Sequence, residues 1–141
     1  MKQCLDPHSE AFPHATRFLG SMASHGRADA GIFLLGLLRY YKQDLTMAAV
    51  IVESLGNFAD RRTIDALIAE LHRVPSSNAT RRYLGSVIAA LETLPPSLVA
   101  DPFRRLADDR SFSSRRRTRF IAIADDFAHH IGASRYLEHD T

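Results

Sequence analysis

The stretch ESLGNFADRRTIDALIAELHR, Glu53 to Arg73, decides the fold. It begins as the end of one apolar helix, halts at Leu55-Gly56, turns as far as Asp60 and enters a second helix. Ile64, Leu67, Ile68 and Leu71 fall at i, i+3, i+4 and i+7. That spacing is one stripe of a helix with about 3.6 residues per turn. Ala48, Ile51, Val52 and Leu55 make the same stripe before the turn. Helix, short turn, helix makes a hairpin.

The hairpin recurs. LGSMASHGRADAGIFLLGLLR, from Leu19, repeats its layout 36 residues earlier. Asp29 and Asp65, Ile32 and Ile68, and Leu35 and Leu71 share this offset. Downstream, Ala48, Leu84 and Phe120 are in phase, as are Ile51, Val87 and Ile123, and Leu55, Leu91 and Phe127. A hairpin cannot bury its apolar face alone, so hairpins at a fixed period imply a stack. No alternating β-branched run competes.

Local chemistry punctuates the helices. Asp44 or Thr46 can cap a helix ending near Gly56, and Asp60 can cap Arg61 to Arg73. Pro75 stops that helix. Ser76, Ser77 and Asn78 offer caps for a helix reaching about Thr93, and Pro95 and Pro96 suit the next turn and first helical position. Pro102 would lose a hydrogen bond inside a helix, so the sequence predicts a turn at 96–100 and a restart capped by Asp101. Ser113 or Ser114 can cap a last helix ending near Gly132, leaving 133–141 as a loose tail.

Glu53–Arg73 resembles a HEAT repeat, particularly the short type of phycobilin-lyase-like proteins. LADDRSFSSRRRTRFIAIADDF, Leu106 to Phe127, is similar to the start of another repeat. The resemblance covers roughly 12–130 and departs at Arg61, where the family often has proline, and at Pro102. It implies an all-α right-handed superhelix, a solenoid of about three hairpins with a closing C-terminal helix. The whole of 1–141 is then expected to be a single repeat domain. Such a pattern describes packing and leaves function open.

Composition is that of an ordinary globular protein: 141 residues, 45% hydrophobic and 24% charged. The polar start, MKQCLDPHSE, has no apolar signal core. The longest apolar stretch, Ala28 to Tyr41, contains Asp29 and Arg39 and falls short of the roughly 20 residues that cross a bilayer. A cytoplasmic protein that does not enter membranes is expected. The lone cysteine, Cys4, can form no intrachain disulfide and reads as a bystander.

Charge is unevenly placed although the net is +2. Residues 81–120 hold nine arginines against Glu92, Asp101, Asp108 and Asp109. Arg115, Arg116, Arg117 and Arg119 form the densest group, and Arg81 and Arg82 precede it by one repeat. Stacking would set Arg81 and Arg117 on one ridge. Guanidinium groups at helix N-termini suit phosphates or acidic peptides. The structural alternative is ion pairing to Asp108, Asp109, Asp125 or Asp126 across repeats.

Other candidates read as structure. Asp29, Asp65 and Asp101 could line an acidic ladder, or complement helix dipoles in first turns. His129 and His130 point about 100° apart on a helix, which is not a zinc clamp. His8, His14 and His25 lie in the first third with no cysteine at ligand spacing. Asp125 and Asp126 could serve as acid and base, but nothing in the sequence sets them opposite another carboxylate or a base, and Asp125 falls on the polar side of the Phe120 stripe. Gly31 and Gly36 suit close helix packing. No phosphate loop, nucleophile elbow or metal motif appears, so neither a cofactor nor a metal is expected.

The resulting expectation is a non-catalytic scaffold binding a protein partner through its surface and arginine ridge. Nucleic acid or phosphate binding through the arginine block is the alternative. A subunit of a bilin-lyase-like or DNA-glycosylase-like enzyme follows from fold analogy alone. Apolar solenoid ends would allow a homo-oligomer.

Overall fold

The computed structural model describes residues 11–139, with side chains through 129. Among the described residues the chain is all helical. The helices are α1 (Ala11–Ser24), α2 (Ala28–Tyr41), α3 (Leu45–Leu55), α4 (Arg61–Arg73), α5 (Arg81–Thr93), α6 (Pro96–Asp108) and α7 (Ser114–His139). Two compact units divide after Leu94; α1 to α5 form the first, and α6 and α7 the second.

In the first unit, α1, α3 and α5 are consecutive neighbours, with α3 packed against both others. Helix α2 packs on α1 and α3, and α4 packs on α5. The 36-residue phase marks this core. Ala48 and Leu84, Ile51 and Val87, and Leu55 and Leu91 are all buried. Burying each large member stabilises by about 1.5–3 kcal/mol. Thr93 of α5 donates its hydroxyl to the Gly56 carbonyl at 3.1 Å, tying the ends of α5 and α3 together.

Small residues set the closest approaches. A Cβ at Gly20 of α1 would stand 3.0 Å from the Ser54 carbonyl oxygen of α3. A Cβ at Gly31 of α2 would strike the Phe58 ring at 2.3 Å. Gly36 differs from the expectation of close packing: its Cβ direction is open, with nothing within 4 Å. The sharp turn from α1 to α2 uses Gly26 at φ 90°, a conformation that costs glycine little.

The caps of α3 and α4 are those expected. The Asp44 side chain accepts from the Thr46 and Met47 amides, and Asp60 accepts from the Arg62 amide. At α5 the cap position falls to Thr80 instead of 76–78. Its hydroxyl donates to the Pro75 carbonyl at 2.6 Å and accepts from the Ser77 amide, so it organises the loop and leaves α5 without a side-chain cap.

In the second unit α6 packs along α7 through Phe103, which meets Phe120 and Phe127 at centroid distances of 6.0 and 5.5 Å. Phe112 adds an edge contact to Phe120 at 5.2 Å. Ser113 caps α7, accepting from the Arg116 amide.

Two boundaries differ from the expectation. Helix α6 has no break at 96–100; it runs through Pro102. The bond Pro102 cannot donate would have gone to Leu98, on an exposed part of the helix where water can meet the carbonyl. Burial of Val99, Ala100, Phe103 and Leu106 on either side outweighs a defect of about 3 kcal/mol. Helix α7 also continues past Gly132 to His139. One glycine costs a helix only about 1 kcal/mol, and no proline follows to stop it.

Candidate functional site

The arginine groups lie in different units. Arg81 and Arg82 open α5, both exposed, and Arg82 lines a shallow groove against α3 with Thr46, Ala49 and Glu53. Arg115, Arg116, Arg117 and Arg119 occupy the first two turns of α7. Arg115 and Arg119 are exposed and one turn apart, so they share a face.

Arg116 has a structural role. Its guanidinium lies 4.8 Å from the Phe112 ring centroid and 5.7 Å from that of Phe120. Burial, and then the nearby Arg119 charge, lower its proton affinity from the usual arginine value. Arg117 is half-buried, and its Nε has no hydrogen-bond partner.

The described ion pairs are Arg27–Asp29, Arg62–Asp60 and Arg73–Glu70. None involves the six arginines named in the two groups. The first two pairs are local and solvent-exposed, where such pairs contribute little.

The third pair belongs to a buried network that the sequence reading passed over. Glu70 of α4 is 6% exposed. Arg73 grips it with two hydrogen bonds, Nε to Oε2 and Nη2 to Oε1, each 2.7 Å. Tyr83 of α5 donates its phenol to Oε1 at 2.5 Å. Arg73 also donates to the Lys42 carbonyl at 3.0 Å, so the network links α4, α5 and the end of α2. Burial pushes the Glu70 carboxyl up, but the Arg73 and Tyr83 hydrogen bonds hold it below the usual range. Burial, reinforced by Glu70, pushes the Tyr83 phenol far above its usual value. A legible signal did exist. Glu70 stands 36 residues from both Leu34 and Leu106, which are buried, so the register places a carboxylate at an apolar position.

Beside this network a groove of about 780 Å³ separates α2 from α4. Ile32, Leu35 and Gly36 line one wall and Ala66 and Ala69 the other. Arg39, Lys42 and Arg73 gather toward the C-terminal ends of both helices, and Arg62 and Asp65 lie toward the start of α4. Glu70 contributes to the lining but is already engaged by Arg73 and Tyr83.

No family model, curated protein or solved structure matches this chain.

The remaining candidates disperse. Asp29 pairs with Arg27 in the first turn of α2, Asp65 lines the groove, and Asp101 belongs to the second unit. Only Asp29 occupies a first helical turn. His25 meets the Ser21 carbonyl through Nδ1 at 2.7 Å, a local turn contact. Cys4, His8 and the His130 side chain lie outside the described residues. Among the described residues, no three His, Cys, Asp or Glu side chains gather as a metal site, and no helix is long and apolar enough to cross a membrane.

Proposed function

We propose that this chain is a non-catalytic, HEAT-like helical-repeat scaffold that binds an acidic protein partner in the cytoplasm. The observation that carries this reading is the ion-pair pattern. The arginines at 81, 82, 115, 116, 117 and 119 take part in none of the described ion pairs, and four of them, Arg81, Arg82, Arg115 and Arg119, are exposed, so their charge is available outward. The buried 36-residue phase of Ala48, Ile51 and Leu55 with Leu84, Val87 and Leu91 supports the repeat half of the proposal. Arginine suits such a surface because its planar fork donates two parallel hydrogen bonds to one carboxylate.

The decisive experiment is affinity capture with the full chain beside two charge-reversed baits, R81E/R82E and R115E/R119E. A partner with an acidic surface should be retained by the wild type and lost from at least one variant. Capture that ignores both reversals sinks the reading. Nucleic acid is the second reading, favoured by the placement of Arg81, Arg82 and Arg115–Arg117 in first helical turns, where free amides favour anions. It requires binding to mixed-sequence DNA or RNA that weakens steeply with salt.

A further inference from the structure

We infer that the groove between α2 and α4 receives an acidic amphipathic helix of the partner. This rests on the scaffold reading above and adds a docking site distinct from its arginine groups.

Three features of the groove support it. The floor is apolar and open: Ile32 is 47% exposed although it faces into the groove, and the Gly36 Cβ direction is empty to 4 Å. Helices α2 and α4 are not closely packed on each other, which leaves an open channel of about 780 Å³ between them. The rim is cationic. Of the four basic side chains that line it, Arg73 is held by Glu70 and Arg62 by Asp60, which leaves Arg39 and Lys42 facing the single carboxylate of Asp65. Arg39 and Lys42 are exposed and their side chains enter no described ion pair.

The occupant follows from these terms. A strand-adding peptide needs an edge of unpaired backbone groups, but the amides and carbonyls along α2 and α4 are used within their helices, and a proline-rich peptide needs an aromatic-lined groove, whereas this lining holds no aromatic side chain. A helix needs only side-chain packing. From Ile32 to Lys42 the wall runs for about 15 Å, which is about three helical turns. The fitting ligand carries apolar residues at i, i+3 or i+4, and i+7, a small residue against Gly36, and Asp or Glu facing Arg39 and Lys42.

A display library of 16-residue helices, selected on the full chain, tests this. Enriched sequences should combine that apolar stripe with acidic flanks. Synthesised, they should bind G36L and R39E/K42E at least about tenfold more weakly than wild type, and R115E/R119E unchanged. The open space at Gly36 lets G36L fold while it fills the groove. No enrichment, enrichment of basic or proline-rich peptides, or binding that survives G36L would overturn the proposal. Acidic helices lost only with R115E/R119E would overturn the groove and leave the scaffold reading intact. Two results would replace the occupant and so also overturn it. One is a dimer by light scattering that G36L converts to monomer. The other is peptide binding that appears only after residues 1–10 are removed.

Discussion

Gly31 of α2 meets the ring of Phe58 so closely that a Cβ there would stand 2.3 Å from Cδ2. Five residues on, Gly36 faces open space. The two glycines lie in one apolar helix and look alike in sequence, yet they predict opposite outcomes. Gly31→Ala gains helix propensity but drives a methyl into a buried ring, and should lose about 2 kcal/mol. Gly36→Ala meets nothing and should gain up to about 1 kcal/mol. Urea unfolding of both variants checks the pair. Equal effects of one sign would contradict the packing.

The bond from Tyr83 to Glu70 makes a second prediction. Tyr83→Phe removes a donor to a buried carboxylate and should cost about 1–3 kcal/mol. Glu70→Leu should cost a similar amount, because it orphans a buried phenol. The double variant removes both ends, and leucine stands 36 residues to either side, at 34 and 106. It should therefore recover much of the loss, since replacing both partners with apolar groups is nearly neutral. A double-mutant cycle in urea measures the coupling; strictly additive losses would show that the two groups do not act together.

The same pair makes stability depend on pH at both ends of the scale. The Glu70 carboxyl is lowered from its usual 4.5: burial opposes the shift, and the Arg73 and Tyr83 bonds outweigh it. The folded chain thus binds fewer protons than the unfolded chain between the two values. This contribution is complete above pH 4.5 and disappears as pH falls through the folded value. Asp60, lowered by Arg62, has the same sign. Tyr83 is raised from its usual 10.0, chiefly by burial, so its contribution is complete below pH 10.0 and disappears as pH rises. The stability gap between wild type and Glu70→Gln should narrow below pH 4.5, and Tyr83→Phe should flatten the decline above pH 10.0. Denaturation midpoints measured across pH test both limbs.

Sequence made the all-helical class and the ends of α3 and α4 legible, where one local rule acts alone. Asp44 and Asp60 cap α3 and α4 because an acceptor beside unpaired amides has little else to do. The reading failed where tertiary packing competed with a local rule. Pro102 argued for a break, and the apolar residues around it kept α6 whole. Glycine pattern could not separate Gly31 from Gly36, because the difference lies in Phe58, distant in sequence. The Glu70 network was half legible: the register exposes a carboxylate at an apolar position, but nothing local names Tyr83 as its partner. The arginine groups were legible as charge. Their division between a stacked Arg116 and exposed Arg115 and Arg119 depends on where Phe112 and Phe120 sit.

That division yields a prediction separating structural from binding arginines. Arg116 lies over Phe112 at 4.8 Å, so its stem and guanidinium cover aromatic surface in the second unit. Arg116→Ala exposes that surface and removes a cation–π contact, and should cost about 0.5–2 kcal/mol. Arg116→Lys keeps the charge but not the planar stack, and should restore only part of the loss. Arg115→Ala and Arg119→Ala remove exposed side chains that enter no described ion pair, and should change stability by no more than about 0.5 kcal/mol. On the scaffold reading, Arg115→Ala and Arg119→Ala should weaken capture of an acidic partner, whereas Arg116→Ala acts mainly on the fold. Thermal unfolding and partner titration on the same three variants give the two rankings. If Arg115→Ala and Arg119→Ala destabilise the chain as much as Arg116→Ala and leave partner affinity unchanged, the α7 arginines belong to the fold alone.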